Sequence, residues 1–198
     1  QPEFRGTTGY GYDHFRAGWK QWGQAMQDDV SDALKFAAKR ANVDLSRVCI
    51  AGASYGGYAT LMGLAKDPAQ YRCGVAWVGV TDARLMYSVH WSDIDSEAKN
   101  YSYPQLIGDP VADAAMLAAS SPIELAGRIK APLLLAYGAN DMRVPLEHGE
   151  RMRAALRKAG QEPEWVVYDN ERHGWRQMKT RLDFWGRVET FLARHLAP

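Results

Sequence analysis

No apolar run in this chain approaches the roughly 18 residues that a membrane-crossing helix requires, which excludes a helical span. Charge of one sign is not in excess either. The formal net charge is +1, and basic residues are scattered in groups as short as Lys39-Arg40, so no global field points to nucleic acid or an anionic membrane. Cysteine is scarce. Cys49 and Cys73 are too few for a disulfide framework or a four-cysteine zinc site. Both lie in apolar surroundings and are expected to be buried free thiols. The His-Glu-x-x-His pattern of zinc hydrolases is missing, as are the glycine patterns of phosphate loops and dinucleotide folds. Asp93, Asp95 and Glu97 lack the glycine and spacing of a calcium loop and are expected to form a solvated acidic loop. No metal or cofactor is expected. The start, Gln1-Pro2-Glu3, has neither the basic residues nor the apolar stretch of a signal peptide. It also lacks an initiating Met, so a removed targeting segment stays open, and with it the compartment.

What is present is ordinary for a globular domain. Hydrophobic residues make up 46% and charged residues 24% of 198, enough chain to bury one core. There is no internal repeat. Four apolar runs have strand length: Val48–Ala51, Gly74–Val80, Pro132–Tyr137 and Trp165–Tyr168. Continuous apolar character without alternation marks parallel strands covered by helices on both faces. Helical patterns alternate with these runs. One spans Gln27–Arg40 with Val30, Leu34, Ala37 and Ala41 at helical spacing. Another carries Met152, Ala155, Leu156 and Ala159 and stops at Gly160. A last one places Met178, Leu182, Trp185, Val188 and Leu192 on one face. The alternation predicts an α/β fold with a mostly parallel sheet. Ser88–Ala119, aromatic, polar and interrupted by proline, reads as an excursion over one end of that sheet. Trp77, Trp165 and Trp185 are expected in the core, with Trp19, Trp22 and Trp91 bordering a cleft.

Gly52-Ala53-Ser54-Tyr55-Gly56 matches G-x-S-x-G. In that turn a serine is held between strand and helix, glycines on either side let the two pass closely, and the N–H of the next residue faces a developing oxyanion. A strand-like run precedes the motif, and Tyr58, Leu61, Met62 and Ala65 follow at helical spacing. Ser54 is therefore the candidate nucleophile, with Tyr55 N–H as oxyanion donor. A serine of this kind needs a base and an orienting carboxylate, in the chain order Ser, Asp/Glu, His, on loops beyond the strands. Asp141 follows the third run and His173 follows the fourth. The rivals fit less well. His14 precedes the serine, His148 and His195 lie on helices, and His90 is in the excursion. Asp82 comes one strand early, and Asp169 shares the loop of His173.

With these residues in hand a resemblance becomes specific. Arg5-Gly6-Thr7-Thr8-Gly9-Tyr10-Gly11, Gly52-Ala53-Ser54-Tyr55-Gly56-Gly57-Tyr58, Asp141-Met142-Arg143-Val144-Pro145 and His173-Gly174 resemble the prolyl oligopeptidase family, in its dipeptidyl and acylaminoacyl peptidase branch. The resemblance implies an α/β-hydrolase fold and a serine peptidase acting on short peptides through an acyl-enzyme, without a cofactor. Position by position it implies Ser54 as nucleophile, Asp141 as orienting acid and His173 as base. It places Arg143 on a substrate carbonyl, Val144 at the border of a side-chain pocket, and Val80, Ala83, Met86 and His90 in its lining. Two departures stand out. Arg172 occupies a place where the family often has Gly, and like-charge repulsion from it would act on His173 if the two were close. The early strands of the fold, the family's β-propeller and an upstream tyrosine that serves as second oxyanion donor have no counterpart. Residues 1–198 therefore read as the C-terminal part of a catalytic domain, impaired alone and prone to associate through an exposed sheet edge, as a homodimer or with the missing region. A carboxylesterase of the same fold and a catalytically silent interaction module are the alternatives.

Overall fold

The structure, a computed structural model, describes residues 1–88 and 93–197. One parallel sheet carries the fold, in the order β1 (Cys49–Ala53), β2 (Cys73–Trp77), β3 (Leu133–Gly138) and β4 (Glu164–Tyr168). Each predicted apolar run becomes one strand with shifted ends. The second ends at Trp77, so Val80 lies in the loop beyond it. Helices α1 (Tyr12–Arg16) and α2 (Ala25–Arg40) precede the sheet, and α3 (Tyr55–Lys66) joins β1 to β2. Between β2 and β3 run α4 (Leu85–Ser88), a π-helical turn (Ala98–Ser102), α5 (Tyr103–Leu106), α6 (Ala114–Ala119) and a 3-10 stretch (Pro122–Arg128). Helix α7 (Leu146–Lys158) joins β3 to β4, and α8 (Met178–Leu196) ends the chain.

The apolar runs are continuous because both faces of each central strand are covered. Leu133, Leu135 and Tyr137 pack with Tyr58 and Leu61 of α3 and Met152 and Leu156 of α7. Their neighbours Leu134 and Ala136, with Val75 and Val166, pack on the opposite side with Phe184, Val188 and Phe191 of α8.

Three expectations need correction. Helix α8 buries Thr180, Phe184, Val188 and Phe191, so of the predicted face only Val188 is buried, with Leu192 partly so. Met178, Leu182 and Trp185 remain 65%, 69% and 53% exposed, so Trp185 is not a core residue. The reason is aromatic area: Phe184 meets Trp77 and Trp175 with ring centroids 5.3 Å apart in each case, and such contacts outweigh those of the aliphatic stripe. Helix α2 likewise buries Met26, Gln27 and Ser31, while Ala37 and Ala41 are exposed. Ser31 is held there by donating to Asp67 Oδ2 at 2.8 Å, and a buried polar residue leaves no trace in an apolar pattern. Finally, Cys49 and Cys73 form a disulfide rather than two thiols. They are register partners on adjacent parallel strands, with Cα atoms 4.7 Å apart, inside the span a disulfide bridges.

Parallel strands bring every strand-to-helix loop to one end of the sheet. The loops after β1, β3 and β4 therefore meet there. Among the described strands β1 has a neighbour on one side only, β2.

Candidate active site

Ser54 sits between the last residue of β1 and the first of α3. Its backbone has φ 56° and ψ −118°, outside the regions that side-chain-bearing residues favour. The conformation is held from both sides. Ser54 N–H donates to Trp77 O at 3.0 Å, and Ser54 O accepts Tyr58 N–H at 3.0 Å. Space decides the glycines: a Cβ on Gly52 would collide with the main chain of Gly56. As the first residue of α3, Tyr55 has no carbonyl one turn back within the helix to receive its N–H, which lies at the positive end of the helix. Its ring is fixed between Phe4, Trp22 and Tyr58, and burial raises its phenol well above the ordinary range.

The structure brings Ser54, Asp141 and His173 together. His173 Nε2 lies 2.9 Å from Ser54 Oγ, and His173 Nδ1 lies 2.8 Å from Asp141 Oδ2. Asp141 is fully buried, and its other oxygen accepts the N–H groups of Arg143 at 2.8 Å and Val144 at 2.9 Å. The carboxylate thus has three donors, and its one bond to the imidazole fixes Nδ1 as the protonated nitrogen, leaving Nε2 to accept from the serine.

The loop that carries His173 is seated by its main chain. Ala139 N–H donates to Tyr168 O, and Asn140 N–H to Glu171 O at 3.0 Å. A Cβ on Gly138 would lie 2.6 Å from Glu171 O and 2.5 Å from Arg172 O, so only glycine lets the two loops touch. Glu171 is the residue that the sequence reading missed. Its buried carboxylate accepts the N–H groups of Arg176 at 2.8 Å and Gln177 at 3.0 Å, tying the loop to the start of α8. Burial pushes its carboxyl upward, but these backbone donors, together with the Thr180 hydroxyl and the Arg181 charge, hold it below the usual range. The available signal was an acid two residues before the candidate base. Arg172, in contrast, is exposed.

Of the predicted pocket residues, Val80, Met86 and Val144 are buried in one cluster, and Tyr55 packs against it. Ala83 is buried apart from them, with Ile107 and Leu117. His90 and Trp91 lie outside the described residues. A cavity of about 210 Å³, lined by Phe15, Trp19, Trp22, Met86, Tyr103 and Ile107 among others, reaches this group at Met86. Trp19 and Trp22 therefore border a cleft. Arg143 does not stand free, nor is Asp93 simply solvated: the two are ion-paired, Nε to Oδ1, at 2.6 Å. His148 is buried on α7, where its Nδ1 accepts Thr81 N–H at 3.2 Å, and burial pushes its imidazole down to about 4. Among the described residues no three His, Cys, Asp or Glu side chains cluster as metal ligands, and no helix is long and apolar enough to cross a membrane.

The family model for prolyl oligopeptidases matches residues 1–198, the whole length. The chain belongs to the prolyl oligopeptidase family. The dipeptidyl aminopeptidase BIII of Pseudoxanthomonas mexicana is 35% identical over 198 residues, covering 98% of this chain and 28% of the relative. A solved acylaminoacyl peptidase in complex with Z-Gly-Gly-Phe-chloromethyl ketone superposes with a TM-score of 0.86 at 26% identity, over 98% of this chain and 31% of that one. A puromycin-hydrolyzing peptidase of Mycobacterium tuberculosis gives 0.88 at 25% identity, over 98% and 28%. This prolyl oligopeptidase family member thus spans under a third of the length of these relatives. Its sheet and helices are those of an α/β hydrolase.

Proposed function

We propose that the chain carries the acyl-transfer centre of a serine peptidase that cleaves short peptides. The observation that carries this reading is the continuous hydrogen-bonded line from Ser54 Oγ through His173 to buried Asp141, set on an elbow with positive φ. In the first half-reaction Ser54 Oγ attacks the scissile carbonyl while His173 Nε2 takes its proton. Asp141, held by the Arg143 and Val144 N–H groups, stabilises the imidazolium without accepting its proton. The negative oxygen of the tetrahedral intermediate faces Tyr55 N–H at the start of α3. Collapse breaks the C–N bond, the amine leaves with the proton from Nε2, and an ester to Ser54 remains. Water then repeats the sequence, giving its proton to Nε2 and releasing the acid and Ser54. Arg143 binds a carbonyl of the peptide, and Val80, Met86 and Val144 shape the side-chain pocket.

On the same reading, the chain is the C-terminal part of a catalytic domain. Its earlier strands pair with the open side of β1 and bring a second oxyanion donor. The lengths of the relatives support this. Loss of one such donor costs about 10²–10³ in rate, so the chain alone should react at Ser54 yet turn over slowly, and associate through β1.

The test is a fluorophosphonate probe on wild type and Ser54→Ala, followed by aminoacyl-nitroanilide and short-chain ester substrates. Labelling confined to Ser54, with anilide preferred over ester in the longer polypeptide, is expected. Absence of labelling would leave a silent module, and preference for the ester would leave a carboxylesterase. Light scattering that finds a monomer, combined with full turnover of the chain alone, would refute the partial-domain reading.

A further inference from the structure

Arg143 begins beside the chemistry and ends in the excursion. Its main-chain N–H is bound by Asp141 Oδ1 at 2.8 Å, which fixes its Cα relative to the candidate acid. Its side chain meets Asp93 in a fork: Nε to Oδ1 at 2.6 Å and Nη2 to Oδ2 at 3.2 Å. Asp93 also donates its own N–H to Met142 O at 2.8 Å. The excursion between β2 and β3 is therefore stapled to the loop of Asp141 at two points, one main-chain and one side-chain, both made by Asp93.

Both partners are about half exposed, at 51% and 42% of their side chains, and pairs in such surroundings add little to stability. Their consequence lies in placement. A lone surface arginine samples many rotamers, whereas a two-bond pair to a carboxylate holds the guanidinium plane. Of its five N–H groups, the fork uses the one on Nε and one on Nη2. Both N–H groups of Nη1 and one of Nη2 make no hydrogen bond to another described residue, and they lie on the far side of the guanidinium from Asp93. The carboxylate also neutralises the cation, so what Arg143 offers is a set of aimed donors with little net charge.

We propose that Asp93 is a positioning and specificity-determining residue: by fixing and neutralising Arg143, it makes the site take a neutral peptide carbonyl in preference to a carboxylate at that place. The proposal rests on the reading that Arg143 contacts substrate, and the two can fail separately.

The experiment measures inactivation by two peptidyl diphenyl phosphonates, which bond phosphorus to Ser54 Oγ as phenoxide leaves with the serine proton. Each molecule reacts once, so slow turnover does not interfere. The probes differ only in the residue before the one at the reacting centre, alanine in one and glutamate in the other. For Asp93→Asn, the neutral probe should bind about 5- to 10-fold more weakly with its limiting rate unchanged. The ratio of glutamate to alanine reactivity should rise at least 5-fold, because the guanidinium is then uncompensated. Asp93→Glu should restore most of the wild-type ratio. In an Arg143→Ala background Asp93→Asn should change nothing. An unaltered ratio in Asp93→Asn, or an equal change in the Arg143→Ala background, overturns the role of Asp93. Arg143→Ala with wild-type binding of the neutral probe overturns the substrate contact itself.

Discussion

Reducing the Cys49–Cys73 bond should cost the fold about 3.5 kcal/mol. The bond joins residues 24 apart in sequence, across the βαβ unit formed by β1, α3 and β2. The loop-closure entropy that such a cross-link removes from the unfolded chain gives about 3.5 kcal/mol at 25 °C for a loop of that length. For a chain of this size, each kcal/mol corresponds to about 2–4 °C in Tm, so the expected fall is roughly 7–14 °C. The assay is a thermal melt with and without reductant, with the Cys49→Ala/Cys73→Ala double variant as control. That variant should melt near the reduced wild type and ignore the reductant. The chemistry should survive. Ser54 is held by its own bond to Trp77 and by the remaining β1–β2 register, so fluorophosphonate labelling at 25 °C should stay within about twofold. Melting curves that coincide within about 2 °C would refute the entropic argument. A large loss of labelling at a temperature where the reduced protein is folded would show that the disulfide also shapes the elbow.

Gly138→Ala should lower the rate of Ser54 labelling by about 10²-fold, the usual cost of misplacing a reacting group by an ångström, because the added Cβ drives Glu171 and Arg172 away from the Asp141 loop. A near-normal rate in a folded variant would show that the seat of the His173 loop is soft. His148 should make stability depend on pH. Its folded imidazole is pushed down to about 4, against about 6.5 in the unfolded chain, so as pH falls the unfolded state takes up the proton first. Stability is then lost between about pH 6.5 and 4, by up to about 3 kcal/mol, and no further below. Urea unfolding at pH 7, 5.5 and 4 should show a shallower decline in His148→Gln than in wild type, and parallel declines would contradict the assignment.

The central strands were legible because burial on both faces leaves nothing but apolar residues at Leu133–Tyr137 and in most of Cys73–Trp77, whereas the outer β1 and β4 are half-buried and still read as apolar runs. Ser54 was legible because its turn requires glycines at fixed offsets, and Asp141 and His173 because they follow strands. The faces of α2 and α8 were not. A helical period identifies a stripe but does not weigh a phenylalanine against a leucine, and it passes over Gln27 and Ser31 altogether. The disulfide was missed for a different reason. Pairing depends on β1 and β2 being neighbours in register, which is a property of the sheet and not of either cysteine's surroundings. Asp93 and Glu171 escaped because each acts on a partner distant in sequence or on main-chain groups, and neither leaves a spacing rule behind.

The His173 loop is fastened through its peptide groups and the inward Glu171 carboxylate, and the bonds that hold it to described residues use no outward side chain of its own. Asp169, Asn170 and Arg172 are all exposed, while Glu171 and Gly138 hold the loop from within. Substitutional freedom and functional constraint therefore alternate along a few consecutive positions. Lineages can drift in charge and bulk at 169, 170 and 172, and so change what approaches the rim, without retuning the proton-transfer distances beneath. A mutant library confined to those three positions would explore selectivity at constant chemistry, whereas one that included 138 and 171 would be spent mostly on inert proteins.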